Sequence, residues 1–413
     1  MLGFWGLRGQ RAQIVVKKGW IVVILPRELS MQITNLQQLD TSLWIDPRAF
    51  IVYSTQNVDV DVIRDLRAKF PRLEIFGASS YHGIIAPSGY ERGSLGLVVE
   101  ASDALETCPI LVEFDCEARA SKDVRARVSA AIRSRCDCSK SPTYVVMHAM
   151  QGYKERVIEG IHDVFDDRVQ VFGATAANDK FLSKPFVFLN EKTSTCGVLL
   201  TVVYGDRLVC AIHQAGYLPT QKHGIVTSSN LRTIERIDDR PAAAVYNEWT
   251  DSIFDIEIAR GGDLPRSAGL YTIGSMVRPN DEMPDEDLIW LAHPYRIDAE
   301  NQSIEFYSEI PVGSHIYLMR SSADYLVDQA GRMVSRILRH IDPSTIRTAF
   351  VMYCAGCASI IAEKMNKVCQ NIRHSLGDIP FIGMSSFGEQ GRIEASAPDT
   401  HGNMMIAILL IKR

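Results

Sequence analysis

One short pattern recurs three times in this chain, each time in the same surroundings. It reads Phe76-Gly-Ala-Ser-Ser80, then Phe172-Gly-Ala-Thr-Ala176, then Ile382-Gly-Met-Ser-Ser386. Upstream of each copy lies a short apolar run: Ala49 to Tyr53, Thr143 to Met147, Ala349 to Tyr353. Between run and pattern the apolar residues recur at three and four. They are Ile63, Leu66 and Phe70, then Ile158, Ile161 and Phe165, then Ile361, Met365, Val368, Ile372 and Leu376. Brief β-branched and aromatic runs read as buried strands, and the wider stripes as helices. Another apolar run follows each pattern: Gly96 to Val99, Gly197 to Val203, Met404 to Ile411. The expectation is an α/β chain of repeated βαβ-β units. They would form mixed, largely parallel sheets with flanking helices, in two domains.

In a βαβ unit both strands end at the same sheet edge, where α/β sheets take ligands. Gly77, Ser79, Ser80, Gly173, Thr175, Gly383, Ser385 and Ser386 are therefore candidate ligand contacts. His148 and Cys354 join them from the turns after the first strands. Glycine lets backbone approach a ligand, and hydroxyl and N–H groups hold a carboxylate or amide. Glu389, just past the third copy, is placed to meet a ligand's amino group. The competing reading of each corner is a tight turn whose small residues pack a helix.

A chain of 413 residues is long enough for two or three domains. We divide it into an extension over 1–44, a domain with two units over 45–240, and a domain with one unit and a strand-rich insert over 241–413. The boundary falls where Asp239 and Pro241 announce a helix. A net charge of −5 offers no basic excess for nucleic acid. The apolar run Trp20 to Leu25 is far too short to span a bilayer. Nine scattered cysteines, an odd number, suggest reduced thiols and a cytoplasmic protein. No Ser/His/Asp order, Walker loop or His-Glu-x-x-His motif is present, so an enzyme is not expected.

Several stretches together resemble the FIST family of sensory domains. They are Asp238-Asp-Arg-Pro-Ala-Ala-Ala-Val-Tyr246, Ala292-His-Pro294, Pro311-Val-Gly-Ser-His-Ile-Tyr-Leu-Met319, Cys354-Ala-Gly356 and Gly383-Met-Ser-Ser-Phe-Gly-Glu389. The resemblance covers about 45 to 411, as a FIST N-like and a FIST C-like domain. It implies a small-ligand-binding sensor, proposed for amino acids or similar polar metabolites, with no cofactor. Signals would pass to a separate protein such as a histidine kinase or cyclase. Some family members bind haem and sense nitric oxide, which makes His82, His148 and His401 the histidines to weigh as axial ligands. Where the family commonly carries Arg after Cys-x-Gly, this chain has Cys357, so either another group such as Arg278 or Arg392 replaces that charge or the chain binds something different. Cys354 and Cys357, between a strand and a helix, also fit a thiol redox pair. Cys136 and Cys138 complete a zinc site only by forced spacing.

Overall fold

The computed structural model describes residues 39–101, 105–115, 122–179, 184–205, 209–277, 288–393 and 397–412, with the backbone of short strands between 6 and 35. Within that early segment Trp20–Ile24 is a strand, paired antiparallel with Gln13–Lys17.

The first stretch runs β1 (Pro47–Ser54), α1 (Val60–Lys69), β2 (Glu74–Ser79), a hairpin of β3 (Ile84–Ala86) and β4 (Gly89–Glu91), then β5 (Ser94–Glu100). Asp59 starts α1 by accepting the N–H groups of Asp61 and Val62, and Ile63 and Leu66 bury its inner face. The second stretch opens with β6 (Glu106–Glu113) and α2 (Lys122–Arg135). It continues with β7 (Tyr144–Ala149), α3 (Lys154–Phe165), β8 (Gln170–Thr175), a hairpin of β9 (Val187–Leu189) and β10 (Lys192–Ser194), and β11 (Gly197–Tyr204).

After β12 (Val209–Ala215) comes a nine-stranded sheet drawn from residues 218–320, whose described pairs are antiparallel. It is joined by α4 (Ala242–Trp249) and α5 (Asp255–Arg260). Pro241 precedes α4, but no side chain caps that helix. The last stretch is α6 (Ala323–Ile337), capped by Ser322, then β13 (Ile346–Cys354), α7 (Ala355–Ile361), α8 (Met365–Leu376), β14 (Phe381–Ser386), a hairpin of β15 (Glu389–Arg392) and β16 (Asp399–Gly402), and β17 (Met405–Lys412).

Three six-stranded sheets result. Each has one parallel pair at its centre: β1 with β2, β7 with β8, β13 with β14. The expectation of largely parallel sheets is corrected here, because the other described pairs are antiparallel. β5, β11 and β17 return beside the first strand of their stretch without a helical crossover, which fixes them antiparallel.

The hairpins do not stay with their own stretch. β3–β4 extends β14, β9–β10 extends β2, and β15–β16 extends β8. Each sheet is thus completed by strands from another stretch, in a closed cycle. Strands from both sides of residue 240 share sheets: β12 pairs with β17, and β8 with β15. The inner faces meet in one apolar core that includes Tyr53, Phe76, Phe172, Leu199, Phe350, Ile382 and Leu409. A fully buried side chain of this size contributes about 1.5–3 kcal/mol.

Candidate functional site

The three recurring patterns lie inside the ends of β2, β8 and β14 rather than in open turns. Their glycines are explained by the strand beside them. A Cβ on Gly77, Gly173 or Gly383 would stand 1.7, 2.1 or 2.1 Å from the carbonyl oxygen of Val52, Met147 or Val351. Each oxygen belongs to the residue directly opposite in the parallel pair.

The corners do come together. The N–H of Ala177 donates to the carbonyl of Ser79 (3.0 Å), that of Phe387 to Thr175 (3.0 Å), and that of Tyr81 to Ser385 (2.9 Å). The ring they form is packed shut. Ser79, Thr175, Ser385 and Ser386 are fully buried, as is Ser80, whose hydroxyl accepts the N–H of Ser385 at 2.9 Å. Ser79 accepts the N–H of Phe186. In place of an open rim, the N–H groups of these corners are hydrogen-bonded to neighbouring strands and turns.

His148 is also not in a loop. It ends up inside β7, 3.1 Å from the Tyr53 hydroxyl. Burial pushes its pKa down to about 4. Its Nδ1 and the Thr201 hydroxyl, both without a hydrogen-bond partner, line an apolar space of about 30 Å³. That is room for about one or two waters. His82 pairs with Asp179 at 2.9 Å. His401 is buried against Gly388.

Two other expectations are corrected nearby. Arg392 is clamped by Asp399 and by the carbonyls of Asp167 and Val169, so it is no free ligand cation. Cys196 is disulfide-bonded, against the expectation of reduced thiols throughout. Arg278 lies outside the described residues. Among the described residues no group of His, Cys, Asp or Glu is placed to hold a metal ion.

Cys354 and Glu389, by contrast, meet a buried polar cluster beside the third corner. Consecutive backbone groups hold them: Met404 N–H donates to Cys354 Sγ and Met405 N–H to Glu389 Oε2, both at 3.2 Å. Ser386 donates to Glu389 Oε1 at 2.6 Å. Burial, reinforced by the nearby Cys354 charge, pushes the Glu389 carboxyl well above the usual range. Burial opposes ionisation of Cys354 as well. Hydrogen bonds from the Cys357 thiol and the N–H groups of Cys357, Met404 and Gly356 nevertheless bring it down to about 7.

The third member is Lys154, which no motif pointed to. It opens α3, is 1% exposed, and makes no hydrogen bond or ion pair among the described residues. Burial, then the charge of Arg232, pushes its pKa down to about 7, against the pull of Glu155, Glu389 and Cys354. More open valences surround it. Glu155 Oε1, Gln390 Oε1 and His401 Nε2 are buried without a partner. Gln390 Nε2 bonds His401 Nδ1 at 2.9 Å, and Arg232 holds the other oxygen of Glu155 at 2.7 Å. In the strand-rich insert the rings of His293 and Tyr307 stand 5.7 Å apart. Burial, then the charges of Asp263 and Cys354, raises the pKa of the Tyr307 hydroxyl. A larger groove, of about 770 Å³, lies elsewhere along α6, lined by Gln329, Arg332, Arg336 and His374 and by none of the candidate residues.

Two family models match in tandem, the FIST N domain over residues 48–240 and the FIST C domain over residues 242–392. The chain belongs to the FIST family. FIST domains are sensory domains for small ligands in signalling. The polar cluster draws on both: Lys154, Glu155 and Arg232 fall in the FIST N match, Cys354, Glu389 and Gln390 in the FIST C match. No curated protein matches the chain. Among solved structures, a cyanuric acid hydrolase from A. caulinodans is similar at 9% identity and a TM-score of 0.32, over 88% of this chain and 90% of that one. A likeness at that level carries no argument about activity. Among the described residues no helix is long and apolar enough to cross a membrane.

Proposed function

We propose that this FIST protein is a sensor for a small polar metabolite, with its ligand held between Lys154, Glu389 and His401 rather than on the glycine-and-hydroxyl corners. One observation carries the reading: Glu155, Gln390 and His401 each keep a buried polar atom without a partner, beside the buried Lys154. Every such atom costs about 1–3 kcal/mol, and a bound ligand recovers that cost. The ammonium of Lys154 suits a carboxylate, while Gln390 Oε1 and Glu155 Oε1 suit an amino group. An amino acid is the ligand class with both ends.

The three strand–helix–strand stretches read as copies of one unit, divided into 45–240 and 241–413, and the signal leaves through a separate protein. Thermal unfolding with a panel of amino acids tests the ligand class. At one hundred times its Kd a true ligand stabilises the fold by about 2.7 kcal/mol. If none of the panel shifts the transition of a folded sample, the amino-acid reading is lost.

A further inference from the structure

A thiol cluster on the far end of the second sheet takes no part in the site above. Cys108 lies in β6, Cys136 directly follows α2, and Cys138 stands two residues further on. The helix that carries Cys136 to this position is firmly seated, with Val124, Val128 and Ile132 buried. The Cys136 thiol donates to Cys108 Sγ at 2.6 Å. That is about half an ångström beyond a covalent S–S bond of ~2.05 Å. Cys108 Sγ also lies 3.4 Å from the Arg135 carbonyl. Both thiols are half-buried and Cys138 is exposed. The bond from Cys136 lowers the pKa of Cys108 against its burial, with help from the Arg135 charge, and the same bond raises Cys136. The pair is asymmetric, with an attacking sulfur and a resolving one.

We propose that Cys108 and Cys136 are a reversible modification site that forms an intramolecular disulfide by exchange with a small disulfide such as glutathione disulfide. The Cys108 thiolate attacks one sulfur of glutathione disulfide. That S–S bond breaks, and one glutathione thiolate leaves and takes up a proton. Cys136 then loses its proton to solvent and attacks Cys108, expelling the second glutathione. Two protein thiols are oxidised and one glutathione disulfide is reduced to two thiols. The bond ties the end of α2 to β6. α2 in turn grips α3, which opens with Lys154, through Ser129 on the Gly160 carbonyl and Arg125 on Asp163.

The test uses the full chain, incubated with glutathione disulfide, acid-quenched, alkylated and peptide-mapped. We expect a Cys108–Cys136 cross-linked peptide, with alkylation of both thiols falling at least about tenfold and returning on reduction. In Cys136→Ser, glutathione should stay on Cys108, and Cys138→Ser should leave the cross-link intact. A lasting glutathione adduct on Cys108 in the unaltered protein overturns the proposal. So does a Cys136–Cys138 bond, or a pair that stays reduced while Cys138 is modified.

Discussion

Replacing Lys154 with methionine is expected to make the folded protein more stable and, on the proposed function, to remove ligand binding. The ammonium is buried and unpaired, and methionine fills similar space with no charge to desolvate. The pH dependence identifies the cause. Lys154 titrates at about 7 in the folded chain, against 10.5 ordinarily. Below pH ~7 both folded and unfolded chains carry the charge, and the folded state bears the whole penalty. Between about 7 and 10.5 the unfolded chain binds the extra proton, so wild-type stability climbs toward that of the variant by about 1.4 kcal/mol per pH unit. We expect Lys154→Met to gain roughly 4–5 kcal/mol at pH 6, shrinking steadily toward pH 10. Affinity for the ligand should fall at least about thirtyfold. Urea unfolding across pH, with ligand titration beside it, measures both. A variant less stable than wild type at pH 6 shows that the ammonium has a structural partner. A more stable variant with intact binding moves the ligand elsewhere.

Gly383→Ala is expected to have an equally large effect of the opposite sign. The new methyl would stand 2.1 Å from the Val351 carbonyl oxygen, a backbone atom fixed in the centre of a sheet. Relief requires pulling β13 and β14 apart, so the loss should be about 3 kcal/mol or more. Gly173→Ala meets Met147 at the same distance and should cost about as much. Chemical denaturation reads the change directly. A loss below about 0.5 kcal/mol in either variant would mean that the strands open far more easily than this packing allows.

Those glycines show how much of the molecule could be read beforehand. Apolar runs and stripes located β1, β7, β13 and the helices beyond them, since burial imposes its own period on a sequence. The resemblance placed the family correctly. The meaning of Gly77, Gly173 and Gly383 was missed, because a glycine that opens backbone to a ligand and one that clears a neighbouring carbonyl have the same sequence. The exchanged hairpins were also out of reach. β3, β9 and β15 are three or four residues long, and their partners lie in other stretches. Lys154 did leave a trace: stepping back from Ile158 and Ile161 by four and seven positions puts it on the buried stripe of α3. A lysine in that register is either at the frayed start of a helix or buried for a purpose, and only coordinates separate the two.

The cycle of lent hairpins has a consequence for how this protein can come into being. Ile84 must find Met384, some three hundred residues later, before the sheet around β14 has its full width. No third of the molecule can finish alone, and a chain halted near residue 240 leaves β8 and β12 with bare edges. Assembly is therefore a late, concerted closure, and a nascent or clipped chain is the form most exposed to aggregation.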